Sequence, residues 1–131
     1  AGSGFCLKSP VPVLSPTLYA HVQMQPATTL VVPDEHAQRA LYLLDGELFM
    51  DGEQVEACSL VVLPEGEEVT LYAEEECQLV LIGGERLDGP RRMNWNFVAS
   101  DGELIERARA KWAVGDWPTV PGETSRIELP R

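Results

Sequence analysis

The clearest structural signal in the chain is the alternation of apolar and polar residues in Thr17-Leu18-Tyr19-Ala20-His21-Val22-Gln23-Met24-Gln25. Successive side chains of an extended strand point to opposite faces. The apolar members of this stretch therefore share one face: Leu18, Ala20, Val22 and Met24. The pattern predicts a half-buried β-strand with His21 on its polar face.

Short apolar segments separated by turn signals continue as far as residue 82. They predict further strands at 30–32, 40–44, 47–50, 60–63, 69–73 and 78–82. Pro33 ends the first of these segments, because proline cannot donate a ladder hydrogen bond. Asp51-Gly52 predicts a hairpin turn after residue 50, since glycine tolerates a positive φ. About seven or eight strands at this spacing are typical of an all-β fold, here a closed β-barrel or jelly roll.

One α-helix is predicted after the barrel. Residues 94–99 are interpreted as a last strand, and Ser100-Asp101-Gly102-Glu103 has the form of a capping box with Ser100 as the N-cap. The helix is expected at about 101–114, because Gly115 and the proline that follows it are stop signals. The proline-containing tail, 118–131, is expected to be extended and to lie over the barrel.

Charge and cysteine content exclude several classes of protein. The chain is expected to be one domain, 1–131, and its formal net charge of −11 disfavours direct binding of nucleic acid. No apolar run reaches the ~20 residues of a membrane span, so no membrane contact is expected. The three cysteines lack Cys-x-x-Cys spacing, which disfavours a disulfide framework and predicts a reducing, cytoplasmic setting. Cys58 and Cys77 adjoin apolar segments and are predicted to be small core residues.

Candidate metal ligands are few. The chain has two histidines, His21 and His36, and no His-x-His pair. A mononuclear metal site in a barrel of this kind needs two or three imidazoles and a carboxylate that converge inside the barrel. Both histidines are therefore interpreted as ordinary surface or turn residues. A two-histidine, one-carboxylate site of His21, His36 and either Asp34 or Glu35 is the alternative, and it would require the polar face of the first strand to point inward.

Aromatic residues near the C-terminus form a second candidate site. Five large apolar residues are predicted to pack the helix onto the barrel: Trp95, Phe97, Leu104, Trp112 and Trp117. The alternative is that the three tryptophans form a binding platform.

A series of motifs supports a family resemblance. They are Lys8-Ser9-Pro10-Val11, Ser15-Pro16-Thr17-Leu18-Tyr19, Arg39-Ala40-Leu41-Tyr42-Leu43-Leu44-Asp45-Gly46-Glu47-Leu48, Gly83-Gly84-Glu85, Asn94-Trp95-Asn96-Phe97-Val98, the helix from Glu103 to Trp112, and Val120-Pro121-Gly122-Glu123. In this order they cover nearly the whole chain and resemble the C-terminal domain of bacterial pirin-like proteins.

The resemblance implies two stacked cupin barrels, of which this chain is the second. In the family the N-terminal barrel holds one iron, some bacterial members oxidise quercetin, and the C-terminal barrel usually lacks the metal. If this barrel is aligned with the metal-bearing barrel at Gly46 and Gly66, the positions of the metal ligands fall near Val32, Asp34, Val69 and Leu71. Only the aspartate could coordinate a metal. The resemblance also suggests that the chain is a truncated protein without its iron-bearing half.

Three hypotheses follow. The first is a non-catalytic, metal-free domain that braces or contacts an N-terminal cupin domain, with iron expected only in that absent domain. The second is part of a quercetin 2,3-dioxygenase-type oxidoreductase, and the third is a small-molecule-binding barrel. An isolated half is also expected to expose the apolar surface that meets its partner and to self-associate, as a dimer for example.

Overall fold

The computed structural model describes residues 1–130. Its elements are short strands and a helix, with these bounds: β1 Ser3–Gly4, β2 Leu7–Lys8, β3 Thr17–Met24, β4 Thr28–Val32, β5 Gln38–Asp45, β6 Leu48–Met50, β7 Glu53–Gln54, β8 Leu60–Val62, β9 Val69–Ala73, β10 Cys77–Gly84, β11 Arg92–Asn94, β12 Phe97–Ala99 and α1 Gly102–Val114. The chain divides into two compact units, Ala1–Arg86 and a second unit that begins at Leu87.

Eight strands of the first unit form two four-stranded antiparallel sheets. Sheet A has the order β3-β10-β5-β8, and sheet B has the order β4-β9-β6-β7. The first strand of the eight therefore pairs with the last, the second with the seventh, and so on inward to the β6–β7 hairpin. This nested pairing is the jelly-roll topology. The prediction of a cupin-type jelly roll is confirmed, in its two-sheet form.

The core lies between the inner faces of these sheets. On β3 the predicted apolar face does point inward: Leu18 and Met24 are buried, while Tyr19 and His21 are exposed. The largest fully buried side chains come from both sheets: Leu41, Leu43, Leu79 and Leu81 from sheet A, and Val32, Leu48, Val69 and Leu71 from sheet B. Burial of each leucine stabilises the fold by about 1.5–3 kcal/mol.

Two turns that the sequence marks with glycine adopt the expected conformations. Asp51 and Gly52 have φ values of 50° and 89°, the type I′ form that suits the β6–β7 hairpin. At Gly46 the backbone has a φ of 87°, and a Cβ there would lie 2.4 Å from the carbonyl oxygen of Glu76. Only glycine fits this close approach of two chain segments.

The N-terminal residues form a hairpin that the sequence analysis missed. Strand β1 pairs with β2 through a turn at Phe5 and Cys6, which have φ values of 54° and 58°. Neither residue is a usual turn residue at positive φ, so the standard turn signals were absent. The hairpin continues into sheet A, because Gly2 bridges to Leu18.

The second unit differs from the prediction in two details. Residues 94–99 are not one strand but the turn and second half of the β11–β12 hairpin. Helix α1 begins at Gly102, and its N-cap is Asp101 rather than Ser100: the Asp101 carboxylate accepts a hydrogen bond from the Glu103 N–H. Gly115 ends the helix in the left-handed conformation, as predicted. Of the predicted tail, residues 118–130 contain no helix or strand, and Arg131 lies outside the described residues.

Candidate functional site

The interior of the jelly roll contains aliphatic side chains at the positions where the pirin resemblance locates the metal ligands. Val32 faces Val69 across the β4–β9 ladder, and Leu71 lies one inward position further along β9. All three are 0% exposed. Asp34, which follows β4, is exposed to solvent. The core therefore has no coordinating group at these sites.

His21 lies on the outer face of sheet A. Its Nε2 is 3.3 Å from Oε1 of Gln78 on the neighbouring strand β10, and its ladder partner is Val80. An imidazole on this face points away from the core. The prediction of a surface position for His21 is correct.

His36 lies in the loop after β4, as predicted for a turn histidine, but it is buried rather than on the surface. Its side chain is 5% exposed, and Nε2 is 2.8 Å from the carbonyl oxygen of Ser3. A carbonyl can only accept, so Nε2 carries the hydrogen. The other ring nitrogen, Nδ1, is buried without a partner among the described residues. The loop His36 belongs to is covered by the N-terminal hairpin, and this long-range contact has no local sequence signal.

An iron atom does not fit these residues. Within residues 1–130 there is no group of three or more histidine, cysteine, aspartate or glutamate side chains that could hold a metal ion. His21 is on the outer face, His36 donates to a backbone carbonyl, and Asp34 is exposed. The alternative site of these three residues is therefore not assembled.

Arg39 is a buried polar residue that the sequence analysis did not single out. It is 3% exposed, and its guanidinium donates to the carbonyl oxygens of Pro33 at 2.7 Å, Pro64 at 2.5 Å and Glu67 at 2.7 Å. These carbonyls belong to the segments that follow β4 and β8. The signal in the sequence was a charged residue at the start of an otherwise apolar strand, and burial of such a charge requires several partners.

The predicted aromatic residues meet in the second unit. Trp112 of α1 contacts the rings of Trp95, Phe97 and Trp117, with centroid separations of 5.2, 6.2 and 5.7 Å. The contacts are mostly edge-to-face, the favourable geometry for aromatic pairs. The cluster joins α1 to the β11–β12 hairpin and to the segment after the helix. Leu104, the fifth predicted residue, is 44% exposed.

A cleft of about 450 Å³ adjoins this aromatic cluster and is lined by all three tryptophans and by residues 118–120 and 123–127. Trp112 Nε1 donates to the carbonyl oxygen of Ile127 at 2.8 Å, which holds the segment against the helix. The guanidinium carbon of Arg126 lies 5.8 Å from the centroid of a Trp112 ring. Hydrogen bonds from the N–H and hydroxyl of Ser125 lower the pKa of Glu123, so its carboxylate stays ionised.

The cysteines divide by exposure. Cys77 is buried at the start of β10, and burial raises the pKa of its thiol. Cys6 and Cys58 are exposed, and all three thiols are free. The prediction of a core position is thus correct for Cys77 and wrong for Cys58. Cys58 lies in a turn with a φ of 59°, and its side chain is exposed to solvent.

The second unit also contains the only helix of residues 1–130. With 13 residues, α1 falls short of the length and apolar character that a membrane span requires.

Known proteins resemble this chain in sequence and in fold. A family profile described as the pirin C-terminal cupin domain matches residues 19–118. A pirin-like protein of Caulobacter vibrioides is 40% identical over 115 residues, which cover 88% of this chain and 40% of that protein. The chain thus spans less than half the length of this relative.

Two crystal structures of quercetin 2,3-dioxygenase from Acinetobacter baumannii have the same fold. One has a TM-score of 0.80 at 27% identity and covers 99% of this chain and 45% of its own. The other has a TM-score of 0.75 at 22% identity, with coverages of 88% and 41%. The family match extends over most of the jelly roll, the β11–β12 hairpin and α1, and the chain therefore belongs to the pirin C-terminal cupin domain family.

Proposed function

We propose that this chain is a metal-free, non-catalytic cupin domain that supports an iron-bearing N-terminal cupin domain of a longer pirin protein. The observation that carries the proposal is the filled interior at Val32, Val69 and Leu71. Aliphatic side chains offer no lone pair to a metal. The buried side chains between the two sheets are aliphatic and lack the placed polar groups of a small-molecule site, which argues against a small-molecule-binding barrel.

The outer face of sheet A supports the partner role. Ladder pairing aligns Tyr19, Ile82, Ala40 and Val62 in one row across the four strands. Tyr19, Val62 and Ile82 are exposed large apolar residues, as is Leu60 in the next row. A contiguous exposed apolar patch on a soluble domain marks a contact surface. The occupant we propose is the N-terminal cupin domain of the longer protein, because the larger part of the Caulobacter relative lies outside the matched region.

Metal analysis tests the proposal directly. The purified 131-residue chain is incubated with Fe(II) without oxygen, desalted and analysed for bound metal by mass spectrometry. We expect iron far below one atom per chain, with no change in a His21→Ala, His36→Ala double variant. Stoichiometric iron that the double variant loses would overturn the proposal.

The second candidate function is part of a quercetin 2,3-dioxygenase-type oxidoreductase. The observation that favours it is the likeness, at 27% identity, to a protein of that name. The test is dioxygen consumption by this chain with quercetin in the presence of Fe(II). We expect no consumption above the protein-free rate. Turnover that is retained after repurification would replace the non-catalytic proposal with this one.

The apolar face has its own test. A free chain that exposes this patch is expected to self-associate, and sedimentation velocity over a range of concentrations measures the effect. Val62→Lys places a charge in the patch and is expected to leave the chain monomeric. Val31 is exposed on the outer face of sheet B. The Val31→Lys variant is therefore the control and should self-associate like the wild type. A wild-type chain that is monomeric at every concentration would contradict this surface assignment.

A reducing, cytoplasmic compartment is part of the proposal. Cys6 and Cys58 are exposed thiols without a partner. Thiols of this kind oxidise readily or pair with other chains in secreted proteins, whereas the cytosol keeps them reduced.

A further inference from the structure

We propose that the cleft beside the aromatic cluster binds a planar aromatic carboxylate. The inference concerns the second unit alone and is independent of the role proposed above for the jelly roll. It rests on three features of the cleft: its aromatic wall, an arginine that has no carboxylate partner among residues 1–130, and a carboxylate that is already hydrogen-bonded to Ser125.

The aromatic wall sets the apolar part of the ligand. The cleft of about 450 Å³ is lined by Trp95, Trp112 and Trp117, and Trp95 and Trp112 are only half-buried, which leaves ring surface open to a ligand. Volumes of this order are typical of small-molecule sites. Flat aromatic ligands gain both apolar burial and favourable ring contacts on such a wall. A one- or two-ring compound fits the available space.

Arg126 sets the charge of the ligand. Its guanidinium lies over the Trp112 ring at 5.8 Å and also lines the cleft. A Cβ at Gly115 would lie 2.8 Å from Nη1 of Arg126, so the absence of a side chain at Gly115 makes room for the guanidinium. No carboxylate of the described residues is within 4.0 Å of it, although the chain carries a net charge of −11. A planar guanidinium binds a carboxylate through two parallel hydrogen bonds.

Glu123 sets the orientation. Its Oε1 accepts hydrogen bonds from the N–H of Ser125 at 2.7 Å and from the hydroxyl of Ser125 at 2.8 Å. This negative charge lines the same cleft and repels a second carboxylate nearby. The ligand carboxylate is therefore directed to Arg126, and the aromatic rings lie along the tryptophan wall.

The chain offers a site-specific readout, because its three tryptophans all line the cleft. The full 131-residue chain is titrated with 2-naphthoate by isothermal titration calorimetry, and the three indole N–H signals are followed by NMR. We expect saturable binding with a dissociation constant of about 1 mM or lower and shifts of the indole signals. The neutral isostere 2-naphthamide, which lacks the charge, is expected to bind more weakly.

Two variants with the same change in net charge test whether Arg126 binds the ligand carboxylate. Arg126→Gln is expected to weaken 2-naphthoate binding by about tenfold, as loss of one charge-assisted pair predicts, with little effect on 2-naphthamide. Arg107→Gln makes the same change in net charge on an exposed residue of α1 outside the cleft and should leave both affinities unchanged. Equal losses in the two variants would overturn the proposal. So would a 2-naphthoate titration without saturable heat or indole shifts.

Discussion

Val32 of β4 and Val69 of β9 face each other as ladder partners, and both side chains are completely buried between the two sheets. A histidine at either position would have to displace packed neighbours and bury a polar ring. The residues that stabilise the sandwich therefore occupy the space that a ligand set would need. The same buried aliphatic side chains therefore account for the packing of the core and for the proposed lack of a metal site.

Substitution of Val32 tests how tightly this interior is filled. Val32→Ala removes two buried methyl groups and leaves a cavity, so it should lower the free energy of unfolding by about 2–3 kcal/mol. Val31→Ala makes the same chemical change on the adjacent residue, which is 47% exposed on the outer face. It should lower the free energy of unfolding by less than about 0.5 kcal/mol. Urea unfolding measures both values. Equal effects would show that β4 does not face the core as described.

Arg39 is expected to be essential for stability rather than for chemistry. Its planar fork reaches three carbonyl groups in two loops, and the single ammonium of lysine cannot reach all three. Arg39→Lys should therefore lower the free energy of unfolding by about 3 kcal/mol, because buried acceptors lose their donors. Arg92→Lys, on an exposed residue, is the control. A stable Arg39→Lys variant would mean that water replaces these hydrogen bonds.

The N-cap of α1 can be tested with two adjacent substitutions. Asp101→Ala removes the carboxylate that accepts a hydrogen bond from the Glu103 N–H, and it should lower the free energy of unfolding by about 1 kcal/mol. Ser100→Ala should be nearly neutral, since Ser100 is not the capping residue. Loss of tryptophan fluorescence during urea unfolding reports on the second unit, which holds all three tryptophans. A larger loss of stability for Ser100→Ala than for Asp101→Ala would show that Ser100 is the N-cap, as the capping-box pattern predicts.

Much of the fold could be predicted from local patterns. The alternation from Leu18 to Met24, the Asp51-Gly52 turn and the Gly115 stop are each determined by a few neighbouring residues, and the structure agrees with all three. Periodicity reports which face is buried, and glycine reports where the backbone needs a positive φ. These signals depend on neighbouring residues and not on distant contacts, so they predicted the local structure correctly.

The features that sequence analysis missed depend on distant contacts. His36 is buried because it meets Ser3, and Arg39 is buried because it meets the segments after β4 and β8. Nothing next to either residue signals its partner. The turn at Phe5 and Cys6 was missed for another reason, since residues with side chains occupy positions that usually select glycine or asparagine. In the cleft, Arg126 was overlooked because its position over Trp112 arises only when the chain after α1 folds back.

The burial of each cysteine predicts how fast its thiol reacts. Only the thiolate attacks a disulfide reagent, and burial both shields Cys77 and raises the pKa of its thiol. At pH 8 we expect Cys6 and Cys58 to react rapidly with an aromatic disulfide reagent, and Cys77 to react only when the chain opens or unfolds. Cys58→Ser should remove one of the two rapid equivalents. A slow reaction at Cys58 would contradict its exposed position.

The same shift predicts a pH dependence of stability. Because the folded pKa of Cys77 is the higher one, its contribution to stability is complete below the unfolded value, ~8.5, and decreases as pH rises above it. Cys77→Ala removes this contribution. Urea unfolding at pH 7.5 and at pH 9.5 should therefore show a larger loss of stability for the wild type than for the variant. Parallel losses would mean that the thiol of Cys77 ionises as easily in the folded chain as in the unfolded one.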